Sequence, residues 1–127
     1  MIKMDTSILL GATLLAYGGI ILVYYRLRGK EQKNKISNFM LKGIMSMRRG
    51  NLEKSLIYFS SAYECSIDTG DIADAAEALY YAGKIYKEQG EINTALECWE
   101  NADSLYLEIN DIDGNEKIKS ALTSIRG

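Results

Sequence analysis

The sequence predicts an all-α protein: an N-terminal transmembrane helix followed by a short α-solenoid of two helix pairs and a C-terminal capping helix. Three observations carry that prediction. Gly43, Gly50, Leu56, Ala62, Asp71 and Ile72 recur 40 residues later as Gly83, Gly90, Leu96, Ala102, Asp111 and Ile112, a period that marks stacked supersecondary units. From Ile36 onward the apolar residues return every three or four positions, the spacing of one helical face. Residues 8–25 carry no charge at all, as a membrane-crossing helix requires.

Composition narrows the function. With 127 residues, 47% hydrophobic and 25% charged, the chain holds one small domain and one additional segment. It has no His, hence neither the commonest general base nor the commonest metal ligand. Triads, Cys/His dyads and ordinary zinc sites fall away, and no catalytic residue, metal or cofactor is expected. Cys65 and Cys98 lie on helical stretches, with Trp99 beside Cys98. They read as buried or half-buried thiols in a reducing compartment in preference to a disulfide or redox pair. The acidic pairs Asp71/Asp74 and Glu97/Glu100 fall at helix starts or exposed helix faces, where the helix dipole and solubility account for them. A phosphate-binding glycine loop needs a preceding strand, and none is evident.

Taken in order, residues 1–7 form a short extracytoplasmic tail. Residues 8–25 form the transmembrane helix, about 27 Å long at 1.5 Å per residue. A cleaved signal peptide fits poorly, because Tyr24-Tyr25-Arg26-Leu27-Arg28 follows the apolar run where small residues belong. Tyr24 and Tyr25 stand where an interfacial aromatic belt would be, and Arg26, Arg28 and Lys30 follow. With Lys33 and Lys35 they place the C-terminal side in the cytoplasm and the N-terminus outside. Gly11, Ala12, Ala16, Gly18 and Gly19 offer a flank for close helix–helix approach, so a homo-oligomer is a second possibility. Residues 26–35 form a basic juxtamembrane linker.

Residues 36–127 form the repeat domain. Ile36, Phe39, Met40, Gly43, Ile44 and Met47 share a broad helical face, closed by Arg48-Arg49-Gly50, a C-terminal stop. A second helix starts near Leu52 and carries Leu56, Phe59, Ala62 and Tyr63, ending at Thr69-Gly70-Asp71. The plan repeats with Ala76, Leu79, Tyr80, Gly83 and Tyr86, then with Ile92, Ala95, Leu96, Trp99, Ala102 and Tyr106. A last helix, residues 116–126, places Ile118, Leu122 and Ile125 on one side as a terminal cap. Glycine costs about 1 kcal/mol against alanine inside a helix, so Gly43 and Gly83 predict close approach of a partner helix. Ala62, Ala95 and Ala102 predict the same on the second helices, with Phe59, Tyr86 and Trp99 filling the space between.

Leu79-x-x-Ala82-Gly83-x-x-Tyr86-x-x-x-Gly90-x-Ile92-x-x-Ala95-x-x-x-Trp99-x-x-Ala102 resembles the tetratricopeptide repeat family, in a longer-linker variant with a 40-residue period. The resemblance covers residues 36–126. In the first pair Gly43, Gly50, Leu52, Phe59 and Ala62 hold, while Lys42, Ser46 and Ser55 depart from the family's usual residues. It implies helix pairs that bind a peptide or protein in a groove lined by the first helix of each pair. At matching positions the groove shows Ser37, Met40, Ile44 and Met47, then Tyr80, Lys84 and Lys87, then Lys117 and Ser120. Met40, Ile44 and Met47 either line that groove or pack within the first pair.

Charge is polarised. Residues 26–54 hold nine basic and two acidic residues, a net of +7; residues 64–116 hold two basic and fourteen acidic, a net of −12. The basic end is predicted to meet anionic lipid and the acidic end to steer a basic partner. Nucleic-acid binding is not expected, since the basic residues lack an aromatic reading surface. The expected function is a single-pass membrane adaptor that docks a protein or peptide at the cytoplasmic face, as assembly factor or subunit of a membrane complex. A self-associating membrane scaffold is the alternative.

Overall fold

The computed structural model describes the backbone of residues 2–126 and the side chains of residues 15–126. Five helices follow one another among the described residues: α1 (Ile2–Arg48), α2 (Leu52–Thr69), α3 (Ile72–Glu88), α4 (Ile92–Glu108) and α5 (Ile112–Arg126). The chain divides into two compact units, Met1–Lys33 and Asn34–Gly127. The boundary falls close to the predicted domain start at residue 36, but inside a continuous helix. The predicted linker, residues 26–35, is helical because seven of its ten residues are Arg, Lys, Glu or Gln, good helix formers, and it contains no Pro, which outweighs Gly29 and Asn34.

In the first unit the prediction of a transmembrane helix over residues 8–25 is overturned: among the described residues, no helix is long and apolar enough to cross a membrane. The apolar run whose side chains are described covers residues 15–25 and meets Arg26, Arg28 and Lys30 immediately afterwards. Residues 8–14 of the predicted span, and the tail before them, lie outside the residues whose side chains are described. The single-pass placement, with the N-terminus outside and the repeat domain cytoplasmic, falls with the span. Tyr24 and Tyr25 are exposed and meet edge to face at 5.8 Å; Arg26, Arg28 and Lys30 are exposed as well.

The second unit is all-α and solenoid-like, each helix packing on the next: α2 on α3, α3 on α4, α4 on α5. Its corners recur every 20 residues. Gly50, Gly70, Gly90 and Asn110 take left-handed φ values of 82°, 77°, 81° and 56°, a region open to Gly and tolerated by Asn. The next residue at each corner, Asn51, Asp71, Glu91 or Asp111, donates its backbone N–H at 2.9 Å to the carbonyl of Ser46, Ser66, Tyr86 or Tyr106. This is the Schellman closure of one helix, and the same residue stands immediately before the helix that follows, where Asn51 and Asp111 also cap it through their side chains. Asn51 Oδ1 accepts from Lys54 N at 3.3 Å and Asp111 Oδ1 from Gly114 N at 3.0 Å.

Packing explains the recurring small residues. A Cβ on Gly43 would lie 2.7 Å from Phe59 Cε1, and one on Gly83 would lie 2.6 Å from Trp99 Cδ1. One on Gly114 would land in the Tyr106 ring. The pairs α1/α2, α3/α4 and α4/α5 are thus each closed by an aromatic ring seated on a glycine. Phe59, Ala62, Ala95, Trp99 and Ala102 are all buried, and Tyr86 is half-buried. The departures in the first pair have a physical role too: Ser55, where the second repeat has Ala95, is fully buried and its Oγ donates to the Gly43 carbonyl at 2.6 Å. In the second pair Trp99 Nε1 donates to the Tyr80 carbonyl at 3.0 Å. One core gathers Ile36, Met40, Phe59, Ala62, Ala78 and Ile85, the other Ala76, Trp99, Ala102, Tyr106 and Ile118.

Helix α5 occupies the place that α3 holds one period earlier, yet its outer face is polar. Ala76 and Gly83 of α3 pack against Trp99; their counterparts in α5, Glu116 and Thr123, are exposed, as are Lys119 and Arg126. An inward apolar face and a polar outer one are what terminal repeats of solenoids carry. The helix starts at Ile112 and not at residue 116, because Gly114 and Asn115 are buried in its first turn, Gly114 beneath Tyr106 and Asn115 donating to Asp103.

Tyr106 couples this corner to pH. Burial first, and then the charges of Glu77 and Asp111, push its hydroxyl from 10.0 up to about 12. The folded state therefore holds the proton more tightly than the unfolded chain, and stability is full below pH 10 and drains as the pH climbs from about 10 towards 12. We expect a loss on the order of 2 kcal/mol over that window. Urea titrations across it will read the loss, and Tyr106→Phe will remove the share that this hydroxyl contributes.

Candidate functional site

The residues singled out for a groove separate into two groups. Met40 is 8% exposed and belongs to the first core, while Ile44 and Met47, half-buried, pack against it. Ser37 stays exposed. The structure thus brings the methionine-rich face of α1 into the packing of the first helix pair.

Tyr80, Lys84 and Lys87 converge with α5 residues. They lie at i, i+4 and i+7 on one face of α3 and line an open hollow of about 580 Å³. Lys117, Ser120, Ala121 and Ser124 of α5 form the opposite wall, Trp99 forms part of the floor, and Glu88 completes the lining. Lys117 and Ser120 stand where the sequence placed them. Ser124 and Trp99 were not assigned to this surface, although Lys117, Ser120 and Ser124 follow the i, i+3, i+7 spacing of a helix face.

Aromatic rings hold two of the lysines. Lys84 Nζ lies 5.2 Å from the Tyr80 ring centroid and Lys117 Nζ 4.4 Å from the same ring, both within cation–π range. Lys84 Nζ is also 5.8 Å from Tyr81 and Lys117 Nζ 5.7 Å from Tyr106. Lys87 Nζ donates to Ser124 Oγ at 3.3 Å, tying α3 to α5 across the hollow. The exposed ion pair of Arg126 with Glu100, at 3.0 Å, involves none of these three lysines. The rigid backing comes from below: Trp99, 2% exposed, is bonded to the Tyr80 carbonyl and seated on Gly83.

Lys117 marks a boundary in the field. On its other side lies a recess lined by Glu77, Asp111, Asp113 and Tyr106. A third recess, between α2, α3 and α4, is lined by Leu56, Phe59, Tyr63, Leu79, Tyr86 and Cys98 among others. Cys65 and Cys98 carry thiols, not a disulfide. Burial, and then Glu97, push the Cys98 thiol up from its ordinary value, away from the thiolate that reactive cysteines need. Among the described residues no group of His, Cys, Asp or Glu is placed to hold a metal ion.

No protein-family model matches this chain, and no curated protein or solved structure matches it significantly.

Proposed function

We propose that the second unit is a tetratricopeptide-like docking module that binds a protein or peptide partner in the hollow between α3 and α5, and that it has no catalytic role. The observation that carries the reading is the convergence of Tyr80, Lys84, Lys87, Lys117 and Ser120 on one open hollow over a buried tryptophan floor. Open concave surfaces with rigid walls and a few polar groups serve recognition. Support for the family reading comes from the 40-residue recurrence, the ring-on-glycine packing repeated in both helix pairs, and the left-handed corners. Adaptor use is supported by the solenoid-like stacking, which offers surfaces to a partner.

Affinity capture with the full chain tests this. The double variant Tyr80→Ala/Lys84→Glu is expected to lose the captured partner by tenfold or more in yield, while Ile57→Asp, on the exposed side of α2, retains it. Equal capture by both variants would remove the hollow from the account.

A further inference from the structure

We propose that the N-terminal end of the repeat unit, the face of α1 that carries Leu41 and Met45, docks an acidic amphipathic helix of another protein; this surface lies apart from the hollow and does not rest on it. Register carries the inference. Ala78 and Ile85 of α3 turn back to the preceding helix pair and share the first core with Ile36, Met40, Phe59 and Ala62, and between them Tyr81 stacks on Phe59 at 5.1 Å. One period later Ile118 of α5 joins Trp99, Ala102 and Tyr106 in the second core, with Ala121 and Ile125 packed against it. One period earlier the same positions fall on Asn38, Leu41 and Met45 of α1, and within this unit no helix precedes them.

Burial follows the register. Ile85 and Ile118 are 0% exposed, whereas Met45 is 42% and Leu41 57% exposed. Ala75 and Ala82 of α3 are buried and half-buried, and their counterparts Lys35 and Lys42 are exposed. At 3.6 residues per turn these five α1 positions span an arc of about 120°, with the lysines along one edge, Asn38 and Met45 in the middle and Leu41 along the other. Helix α1 thus presents, uncovered, the face that α3 turns to α2. Such a face, one helix wide, accepts the apolar stripe of an incoming helix.

Charge selects the occupant. Residues 34–52 hold four basic residues, Lys35, Lys42, Arg48 and Arg49, and no acidic one; all four are exposed. Lys42 Nζ lies 5.9 Å from the Tyr58 ring centroid, which holds it at the rim of the face. Two copies meeting by this face would set lysine against lysine, and like charges across an interface oppose association. Head-to-tail stacking of copies fails at the other end, where Glu116, Lys119, Thr123 and Arg126 make the outer face of α5 polar. The occupant is therefore a helix of a different chain, with Asp or Glu beside its apolar stripe where it meets Lys35 and Lys42.

The test uses the full chain and two labelled peptides of the length of α2, 18 residues. Both carry a Leu/Ala stripe at helical spacing, flanked by Glu in one and by Lys in the other. Fluorescence anisotropy follows the peptide, and circular dichroism confirms that each protein variant is folded. The Glu-flanked peptide is expected to bind saturably and to weaken as salt rises. Its affinity should fall about tenfold or more in Leu41→Glu/Met45→Glu. In Lys35→Gln/Lys42→Gln it should fall about threefold or more, with a shallower salt dependence. It should stay unchanged in Leu107→Glu, where an apolar residue of α4 is 58% exposed. The Lys-flanked peptide should bind about tenfold weaker than the Glu-flanked one.

No saturable binding of the Glu-flanked peptide, or equal binding to Leu41→Glu/Met45→Glu, overturns the inference. So does equal binding of the Lys-flanked peptide, which removes the acidic occupant. A dimer of the chain, seen by analytical ultracentrifugation and dissociated by Leu41→Glu/Met45→Glu, would give the face to a second copy and overturn it too. Vesicles of phosphatidylserine and phosphatidylcholine that bind with the same dependence on these residues, where the peptide does not, overturn it as well. The docking reading of the hollow fails separately, when partner capture is indifferent to Tyr80→Ala/Lys84→Glu.

Discussion

Replacing Trp99 by alanine is expected to destabilise the repeat unit by about 3–5 kcal/mol, the range for deleting a buried indole. Trp99 is 2% exposed, sits in the second core with Ala76, Ala102, Tyr106 and Ile118, and donates Nε1 to the Tyr80 carbonyl at 3.0 Å. Its neighbours offer little to collapse into the space, because Ala76 and Ala102 of the same core are small and Gly83, directly beneath the ring, has no side chain. Such a loss is a large share of the 5–15 kcal/mol that ordinary domains possess, so the variant should unfold at far lower urea and lose the floor of the hollow. Far-UV circular dichroism against urea measures it. Trp99→Phe keeps most of the volume and gives up the hydrogen bond, and about 1–2 kcal/mol is expected there. A midpoint for Trp99→Ala close to wild type would mean that the indole is not the keystone described.

Gly83→Val carries the second largest effect, about 3 kcal/mol of destabilisation. On helix propensity alone, any side chain at this position should help, since glycine is the poorest ordinary helix former. Packing reverses the sign: the added Cβ would meet Trp99 Cδ1 at 2.6 Å, and neither an indole wedged in a core nor its backing helix can retreat cheaply. Gly18→Ala supplies the internal control. Gly18 also lies within a helix, but nothing stands within 4 Å of its Cβ position, so that change should be neutral or stabilising by up to about 1 kcal/mol. Thermal melts of the two variants should therefore move in opposite directions, or Gly83 alone should move. A melt of Gly83→Val matching Gly18→Ala would refute the close approach of α3 to α4.

The packing was legible in the sequence wherever a residue type has few reasons to be present. Gly43 and Gly83 inside helical patterns pointed to close contacts, and Phe59 and Trp99 lie on them. Periodicity located α2 near its observed start at Leu52 and grouped Ala62, Ala95 and Ala102 in the interior. What stayed hidden depends on partners that no local pattern names. The last helix was expected from residue 116, leaving Gly114 and Asn115 outside it; their burial beneath Tyr106 and against Asp103 needs the fold to be seen. The 20-residue rhythm of the corners escaped notice because its fourth member is Asn110, whose left-handed conformation its side chain permits but does not announce.

The N-terminal segment shows the opposite failure. Absence of charge over residues 8–25 suggested a span, and the basic residues after it suggested an orientation. The described residues contain no helix long and apolar enough to cross a membrane, and α1 runs on through Arg26, Arg28 and Lys30 without a break. For the site, the family resemblance grouped Tyr80, Lys84 and Lys87 with Lys117 and Ser120, and did not include Ser124. Only the stacking of α5 against α4 brings Lys117, Ser120 and Ser124 to them, whereas Met40 turns inward to a core.

The central claim is that a partner docks in the hollow between α3 and α5. Site-specific photocrosslinking tests it most directly, with the reactive side chain placed in turn at Lys84 and Ser120 in the hollow, and at Ile57 and Ser104 on exposed faces of α2 and α4. The account predicts that Lys84 and Ser120 each yield an adduct with the same partner, and that Ile57 and Ser104 yield none. Adducts formed from Ile57 or Ser104 while Lys84 and Ser120 stay unreacted would contradict it.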